Sequence, residues 1–409
     1  MTPGGDSARS LAAEARLASA PAPRPQPTPD LGSRFGARLR AHASEWKPVY
    51  LAFALSRVLV LAVGFGVELF QRVSGADPST WRPFAHAETF PHYLDVVTHG
   101  YNLQNAYDYP LLPAFMAGGQ AIGIPGALTA MVVSNVCFAL GLVGFAIIGE
   151  RFVGRPAAVR GAIYLAIAPF AYWFSIASTE SLLLACVAGS VLLALRGTSR
   201  SWLGAGALAA AAALTRPPGA LLGIVLLAIA VDQLMAGRLR GRKLLAPLAA
   251  GVMIPAALAG FFLYLKGRTG DALAAVHAQN QFNRHVSLRG PIDAFSSALS
   301  SAAGGSPGQA VELVATIGSA AALAWFLASA AGRRWEVRGW TLFGLASLLL
   351  PLATGVMWQM PRFALLILPV FWMLGALGAQ RVWLHRAILV LFPIALVVKV
   401  ATAVVGVHG

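Results

Sequence analysis

The chain has 409 residues, of which 57% are hydrophobic and only 11% charged, and it carries a formal net charge of +15. Soluble domains carry about 25% charged residues, so a water-soluble globular fold is excluded. No aromatic-basic module accompanies the positive charge, which argues against nucleic-acid binding.

Residues 1–44 are rich in Ala, Pro and Arg, with Pro21, Pro23, Pro25, Pro27 and Pro29 alternating, and read as a disordered tail. Residues 45–409 form the membrane domain. Apolar segments recur at 49–70, 127–149, 157–175, 178–196, 201–215, 217–235, 244–266, 309–331, 339–357, 363–380 and 386–406, giving about eleven spans. Most approach the ~20 residues that cross a hydrocarbon core, 201–215 being the shortest. Backbone exposed to lipid must satisfy itself within the segment, so these spans are helices, and the fold class is an all-α polytopic membrane protein.

Basic residues set the orientation, because positive flanks stay cytoplasmic. Seven lie ahead of the first span, and clusters follow at 151–160, 196–200, 238–243, 333–338 and 381–386, together 21 of the 31 Lys and Arg. The alternating assignment puts the N-terminus in the cytoplasm. The loops at 71–126 and 267–308, and the turn from Trp358 to Arg362, then lie outside. Net charge therefore reflects topology. Cys137 and Cys186 both fall inside spans and read as small apolar filler.

The 71–126 loop is the polar exception in this chain. Pro91 opens a helix and Gly100 ends one, which predicts an amphipathic helix lying in the membrane interface. Tyr93, Val96, Val97 and Gly100 share one face, while His92, Asp95 and His99 share another at spacing i, i+3, i+7. That polar face reads as a solvated surface, an acid–base cluster or a divalent-metal site. A third or fourth metal ligand is not evident. In Tyr107-Asp-Tyr-Pro-Leu-Leu-Pro113, Asp108 is either a turn-forming aspartate or a second carboxylate for the same cavity. Residues 111–124 are short for a span and read as lying along the membrane or dipping into it.

Ionisable residues inside a membrane face a cavity or a partner. Arg57 lies within the first span, and Glu180 at the outer end of another. Arg216, Arg284 and Arg362 all map to the side of the polar loop, where guanidinium groups hold a phosphate or cap helix ends.

In order and spacing, several short motifs resemble the PIG-V-type mannosyltransferases, polytopic glycosyltransferases of the GT-C class. These are Ser56-Arg57-Val-Leu, His92-Tyr93 followed by His99-Gly100-Tyr101, Tyr107-Asp-Tyr-Pro-Leu-Leu-Pro113, Ala168-Pro169 with Ser178-Thr-Glu-Ser181, Trp202-Leu-Gly204 with Leu214-Thr-Arg-Pro217, Gln279-x-x-Phe-x-Arg284 and Met360-Pro-Arg-Phe363. The resemblance implies a GT-C-like enzyme on the outer face of a bacterial inner membrane. It would take a sugar, mannose in that family, from a polyprenyl-phosphate carrier to a glycan, lipid or protein acceptor, with inversion. It places His92, Tyr93, Tyr101, Glu180, Arg216, Gln279, Arg284 and Arg362 about the substrates. The lipid-linked sugar is the donor, and no metal cofactor is expected, His92, Asp95 and His99 being weak ligand candidates.

An outer-loop carboxylate acts as base in such enzymes, because the acceptor hydroxyl must lose its proton as the glycosidic bond forms. The family's Trp-Asp pair falls here on Glu88-Thr89. A threonine hydroxyl cannot serve as that base at neutral pH. Glu88, Asp95 and Asp108 are the candidates. The alternative is a catalytically degenerate scaffold that binds a lipid-linked glycan or a partner protein. A transporter fits less well, since the spans show no repeat of two halves and the polar residues gather on one side.

Overall fold

The structure, a computed structural model, describes residues 44–75, 84, 90–282, 286–329 and 334–405. The proline-rich stretch through residue 43, Glu88, Thr89 and Arg284 lie outside the described residues. Among the described residues every regular element is helical. The body that begins at Lys47 forms one unit.

In chain order the long helices are α1 (Lys47–Val73), α2 (Phe90–His99), α3 (Leu111–Ala121), α4 (Gly126–Val153), α5 (Arg155–Ile167), α6 (Glu180–Arg196) and α7 (Ser199–Ala213). They continue with α8 (Leu222–Met235), α9 (Leu245–Thr269), α10 (Gly290–Ala303), α11 (Pro307–Ala328), α12 (Trp335–Leu352), α13 (Leu368–Gln380) and α14 (Val382–Val405). Each predicted span folds as helix, whole or interrupted. Among the described residues, six stretches are long and apolar enough to cross a membrane: Lys47–Val73, Gly126–Val153, Pro217–Met235, Gly241–Thr269, Pro307–Ala328 and Val382–Val405. The predicted loop at 267–308 is largely helical, holding α10 and two short turns, Ala274–His277 and Ala278–Phe282.

Three spans expected to be continuous are broken, two of them beside a proline. The 157–175 segment stops at Ile167 because Pro169 has no N–H to give and forces Ala168 to extended ψ 149. A single 3-10 turn, Ala171–Phe174, follows. Arg57 accounts for how this break is tolerated inside a bundle. From α1 it donates to Ala166 O at 2.9 Å, Ala171 O at 2.9 Å and Ser175 Oγ at 2.8 Å, satisfying carbonyls around the break. The 217–235 segment is interrupted at Leu221. The 363–380 segment divides into a short helix, Met360–Ala364, and α13, with Pro369 in the first turn of α13.

Arg57→Ala is expected to lower stability by about 2–4 kcal/mol, since it strips two buried carbonyls of a charged donor. Thermal unfolding in detergent checks this. Arg57→Lys, which cannot span the same acceptors with a planar fork, should recover only part of the loss.

Small residues let the helices approach, as membrane packing requires. At Gly375 a Cβ would stand 2.1 Å from Ala157 O, so α13 and α5 meet backbone to backbone there. Near that junction Trp372 gathers Phe145, Phe152, Phe326 and Trp340 at centroid distances of 5.3 to 5.6 Å. This aromatic knot ties α4, α11, α12 and α13 together, and it fixes the helix that follows Arg362.

Candidate active site

Four segments distant in sequence converge at the N-terminal end of α6. They are the loop after α2, the 3-10 turn at Ala171–Phe174, the turn between α7 and Pro217, and the short helix Met360–Ala364. Each delivers one or two side chains.

The loop after α2 is built first by local chemistry. The helix runs over Phe90–His99, as Pro91 and Gly100 predict, and Gly100 ends it at φ 77. Its faces divide as the spacing requires: Tyr93 and Val96 are buried, and His92 and His99 are exposed. Tyr93 packs with Leu112, Ala177 and Leu182. Beyond Gly100, Asn105 organises the turn. Its Oδ1 accepts from Asn102 N at 2.8 Å, and its Nδ2 donates to Gly100 O at 3.0 Å and to Asp95 Oδ2 at 2.7 Å. The Tyr101 hydroxyl donates to Asp108 O at 2.8 Å, and Leu111 N donates to Leu214 O at 3.1 Å. The loop is thereby fastened to the segment that carries Arg216.

Asp108, on this loop, is buried, and its Oδ2 has no hydrogen-bond partner. Burial pushes its carboxyl up to about 8; Arg362 pulls back in the other direction, and Asp95 adds to the rise. Asp95 behaves oppositely. Its hydrogen bond from Asn105 holds it below the ordinary aspartate range, and His99 adds to that effect. Its Oδ1 pairs with His99 Nδ1 at 2.9 Å on the exposed face. Asp95 is thus engaged in holding the turn.

Glu180, the first residue of α6, is fully buried. Its Oε1 accepts from Arg216 Nη1 and from Arg362 Nε. Arg362 also donates to Gln359 Oε1 at 3.0 Å, and its guanidinium lies 3.6 Å from the Trp173 ring centroid. Arg216 stands 5.1 Å from the Phe363 ring centroid. Stacking on aromatic faces suits a planar, weakly hydrated cation. Burial, with the Asp108 and Glu180 carboxyls adding to it, raises the Tyr93 phenol well above the usual range, while Arg362 and Arg216 pull the other way.

Burial raises the Asp108 carboxyl toward its neutral form, and two guanidinium groups then face the single Glu180 carboxylate in a dry setting. A guanidinium has five N–H donors, so one arginine can hold Glu180 and an anion at once. Nine buried side-chain polar atoms lack a partner among the described residues, and four of them belong to Asp108, Ser178, Thr179 and Glu180. Such orphaned atoms are uncommon in folded proteins, and four of the nine gather at this one helix end.

The remaining predicted residues fall around this centre. His92 meets the Tyr107 hydroxyl at 2.9 Å through Nδ1, while Asp95 pairs with His99. Among the described residues no group of three His, Cys, Asp or Glu could hold a metal ion. Gln279 is half-buried in the turn Ala278–Phe282, and Gln281 beside it donates to Gln104 O at 2.7 Å, joining the two long loops. Trp173 and Gln359 belong to the site and were not singled out by sequence. Trp173 sits in an apolar run, where its ring reads as filler.

Residues 108–267 match the family model described as dolichyl-phosphate-mannose-protein mannosyltransferase. The matched stretch begins at Asp108, takes in Glu180 and Arg216, and ends before Arg362. No curated protein matches the sequence. Among solved structures, the chain is similar to ArnT from Cupriavidus metallidurans bound to undecaprenyl phosphate, at 12% identity and TM-score 0.51, covering 88% of this chain and 76% of that one. An Archaeoglobus fulgidus oligosaccharyltransferase follows at 13% identity and TM-score 0.48, over 87% of this chain and 53% of its own. The mycobacterial arabinofuranosyltransferase AftD follows at 18% and 0.43, over 88% of this chain and 26% of its own. The chain is a multi-pass integral membrane protein with a GT-C-type fold.

Proposed function

We propose that this protein is a membrane glycosyltransferase that moves a sugar from a polyprenyl-phosphate carrier to an acceptor hydroxyl, with Asp108 as the base. One observation carries the reading. A buried carboxylate with an unpartnered oxygen stands in the field of Arg362, where Arg362 and Arg216 converge on Glu180. The family match over 108–267 and the undecaprenyl phosphate held by ArnT support a lipid phosphate as the group those arginines meet.

The chemistry follows from the parts. The acceptor oxygen attacks the anomeric carbon, its proton passes to Asp108, and the bond from that carbon to the phosphate oxygen breaks. The electron pair leaves with the polyprenyl phosphate. Arg216 and Arg362 stabilise the negative charge that develops there. A carboxyl raised toward neutrality is well matched to accept a proton near the working pH. Attack from the face opposite the leaving phosphate inverts the anomeric centre. Mannose is the proposed sugar, in keeping with the PIG-V-like motifs. The proposed setting is the outer face of a bacterial inner membrane, with the N-terminus in the cytoplasm.

A degenerate scaffold is the second reading, favoured by one observation: both arginines already close on Glu180, as they would in a purely structural cluster. Purified protein in nanodiscs, given polyprenyl-phosphate-mannose and a panel of glycan, lipid and peptide acceptors, separates the two. Transfer or hydrolysis of the sugar supports the enzyme. Donor binding without turnover supports the scaffold.

A further inference from the structure

Arg362 stands on a helix of five residues, Met360–Ala364, too short to be stable by itself. Its aim has to come from outside. Glu312, half-buried on α11, supplies it. One carboxylate oxygen accepts from Gln359 N at 2.9 Å, and the other accepts from Met360 N at 2.6 Å. Gln359 has φ 60 and ψ 25, and among the described residues it is the one non-glycine with positive φ. A residue with a Cβ resists that region, so its surroundings must hold it there. In that conformation the Gln359 side-chain oxygen accepts from Arg362 Nη1 at 3.0 Å.

The helix turn that carries Glu312 is packed against the same segment. Thr316 donates back to Glu312 O at 2.8 Å and touches Met357 Sδ at 3.7 Å. Leu313, Met357 and Met360 share one apolar cluster with residues of α10 and α12. The grip therefore joins a well-packed helix to a strained turn, and the turn to the guanidinium.

We propose that Glu312 is a positioning residue for the lipid-phosphate site. Its two-point hold on the backbone of Gln359 and Met360 sets the direction of the Arg362 guanidinium. The inference rests on Arg362 being a phosphate-binding group. Glu312 touches no substrate and acts only through Arg362. A carboxylate suits the task because both its oxygens accept, whereas an amide presents one acceptor and one donor to the same two N–H groups.

The test is the binding of undecaprenyl phosphate by full-length protein in detergent micelles, measured calorimetrically alongside thermal unfolding. Glu312→Ala is expected to weaken binding about tenfold, Glu312→Gln less, and neither should weaken it further when Arg362→Ala is already present, since coupled residues are non-additive. A role in folding alone would lower the unfolding temperature and leave the affinity of the folded fraction untouched; that result overturns the inference. So does an equal loss with and without Arg362. If Glu312→Ala does not fold, Glu312→Gln decides: wild-type affinity in that variant overturns the proposal. If wild-type protein does not bind the lipid, or Arg362→Ala binds it as well as wild type, the reading of Arg362 as a phosphate ligand fails and the inference falls with it. Wild-type binding lost in Arg362→Ala but kept in Glu312→Ala overturns the inference alone.

Discussion

Asp108→Asn is expected to lower sugar transfer about 10²- to 10⁴-fold, the range a positioned general base contributes. Donor binding should survive, because the amide keeps the shape of the side chain and Arg216 and Arg362 remain in place. Asp95→Asn is expected to do far less to the chemistry, since both Asp95 carboxylate oxygens are already engaged, by Asn105 and by His99. Glu88→Gln belongs in the same series, because Glu88 lies outside the described residues and is the other sequence candidate. Comparable expression and unfolding temperature across the three variants make the comparison one of chemistry. If Glu88→Gln abolishes transfer and Asp108→Asn does not, the base is misassigned.

The pH dependence carries the same assignment by a separate route. A base works when deprotonated, so kcat/KM is expected to rise with pH and level off above about 8, where burial places Asp108. A limb due to Asp95 would fall below the ordinary aspartate value near 3.8, leaving the neutral range flat. The same shift has a consequence for stability. A carboxyl that ionises at higher pH in the folded chain than in the unfolded one favours the folded state fully below the unfolded value. That contribution is lost as pH rises through about 8.

Glu180→Ala is the second large effect, and it falls on stability. Glu180 is fully buried and bonded to two arginines, so its removal leaves two guanidinium groups facing each other without their common counter-ion. Breaking a buried pair costs about 3–5 kcal/mol, because the remaining charge is left uncompensated. The unfolding temperature in detergent should drop accordingly. Glu180→Gln, which keeps an acceptor between the arginines, should drop it less. A Glu180→Ala protein as stable as wild type would mean the arginines find other partners, and the site would have to be redrawn.

The sequence was most informative where local rules govern. Pro91 and Gly100 bracket α2 to within a residue, and the spacing of Tyr93 and Val96 against His92 and His99 gives the two faces of that helix. The spans were legible for the same reason, since a hydrocarbon core imposes one length scale. Breaks were less so: Pro169 stops α5, but the run around it is apolar on both sides and reads as continuous. What makes that break tolerable, Arg57, acts from 109 and 114 residues away.

The candidate site divides along similar lines. Glu180, Arg216 and Arg362 stand out as charges where charge is expensive, and the structure brings them together. Their arrangement was not legible, because each contact spans 36 to 182 residues of chain. Trp173 looks like any other aromatic in an apolar run until a guanidinium lies on its face. Gln359 carries no sequence sign of its left-handed backbone, since that conformation is held by Glu312, 47 residues earlier. Asp108 was legible as a turn aspartate and as a possible second carboxylate. Burial beside Arg362 is what separates those readings, and burial is a property of the folded chain.

The central claim is that a lipid phosphate sits on Arg216 and Arg362 within reach of Asp108. A cryo-electron-microscopy structure of the protein in nanodiscs with undecaprenyl phosphate tests it most directly. The account predicts phosphate density against both guanidinium groups, with the Asp108 carboxylate opening onto the same space. Phosphate density elsewhere, with both arginines still closed on Glu180, would contradict it.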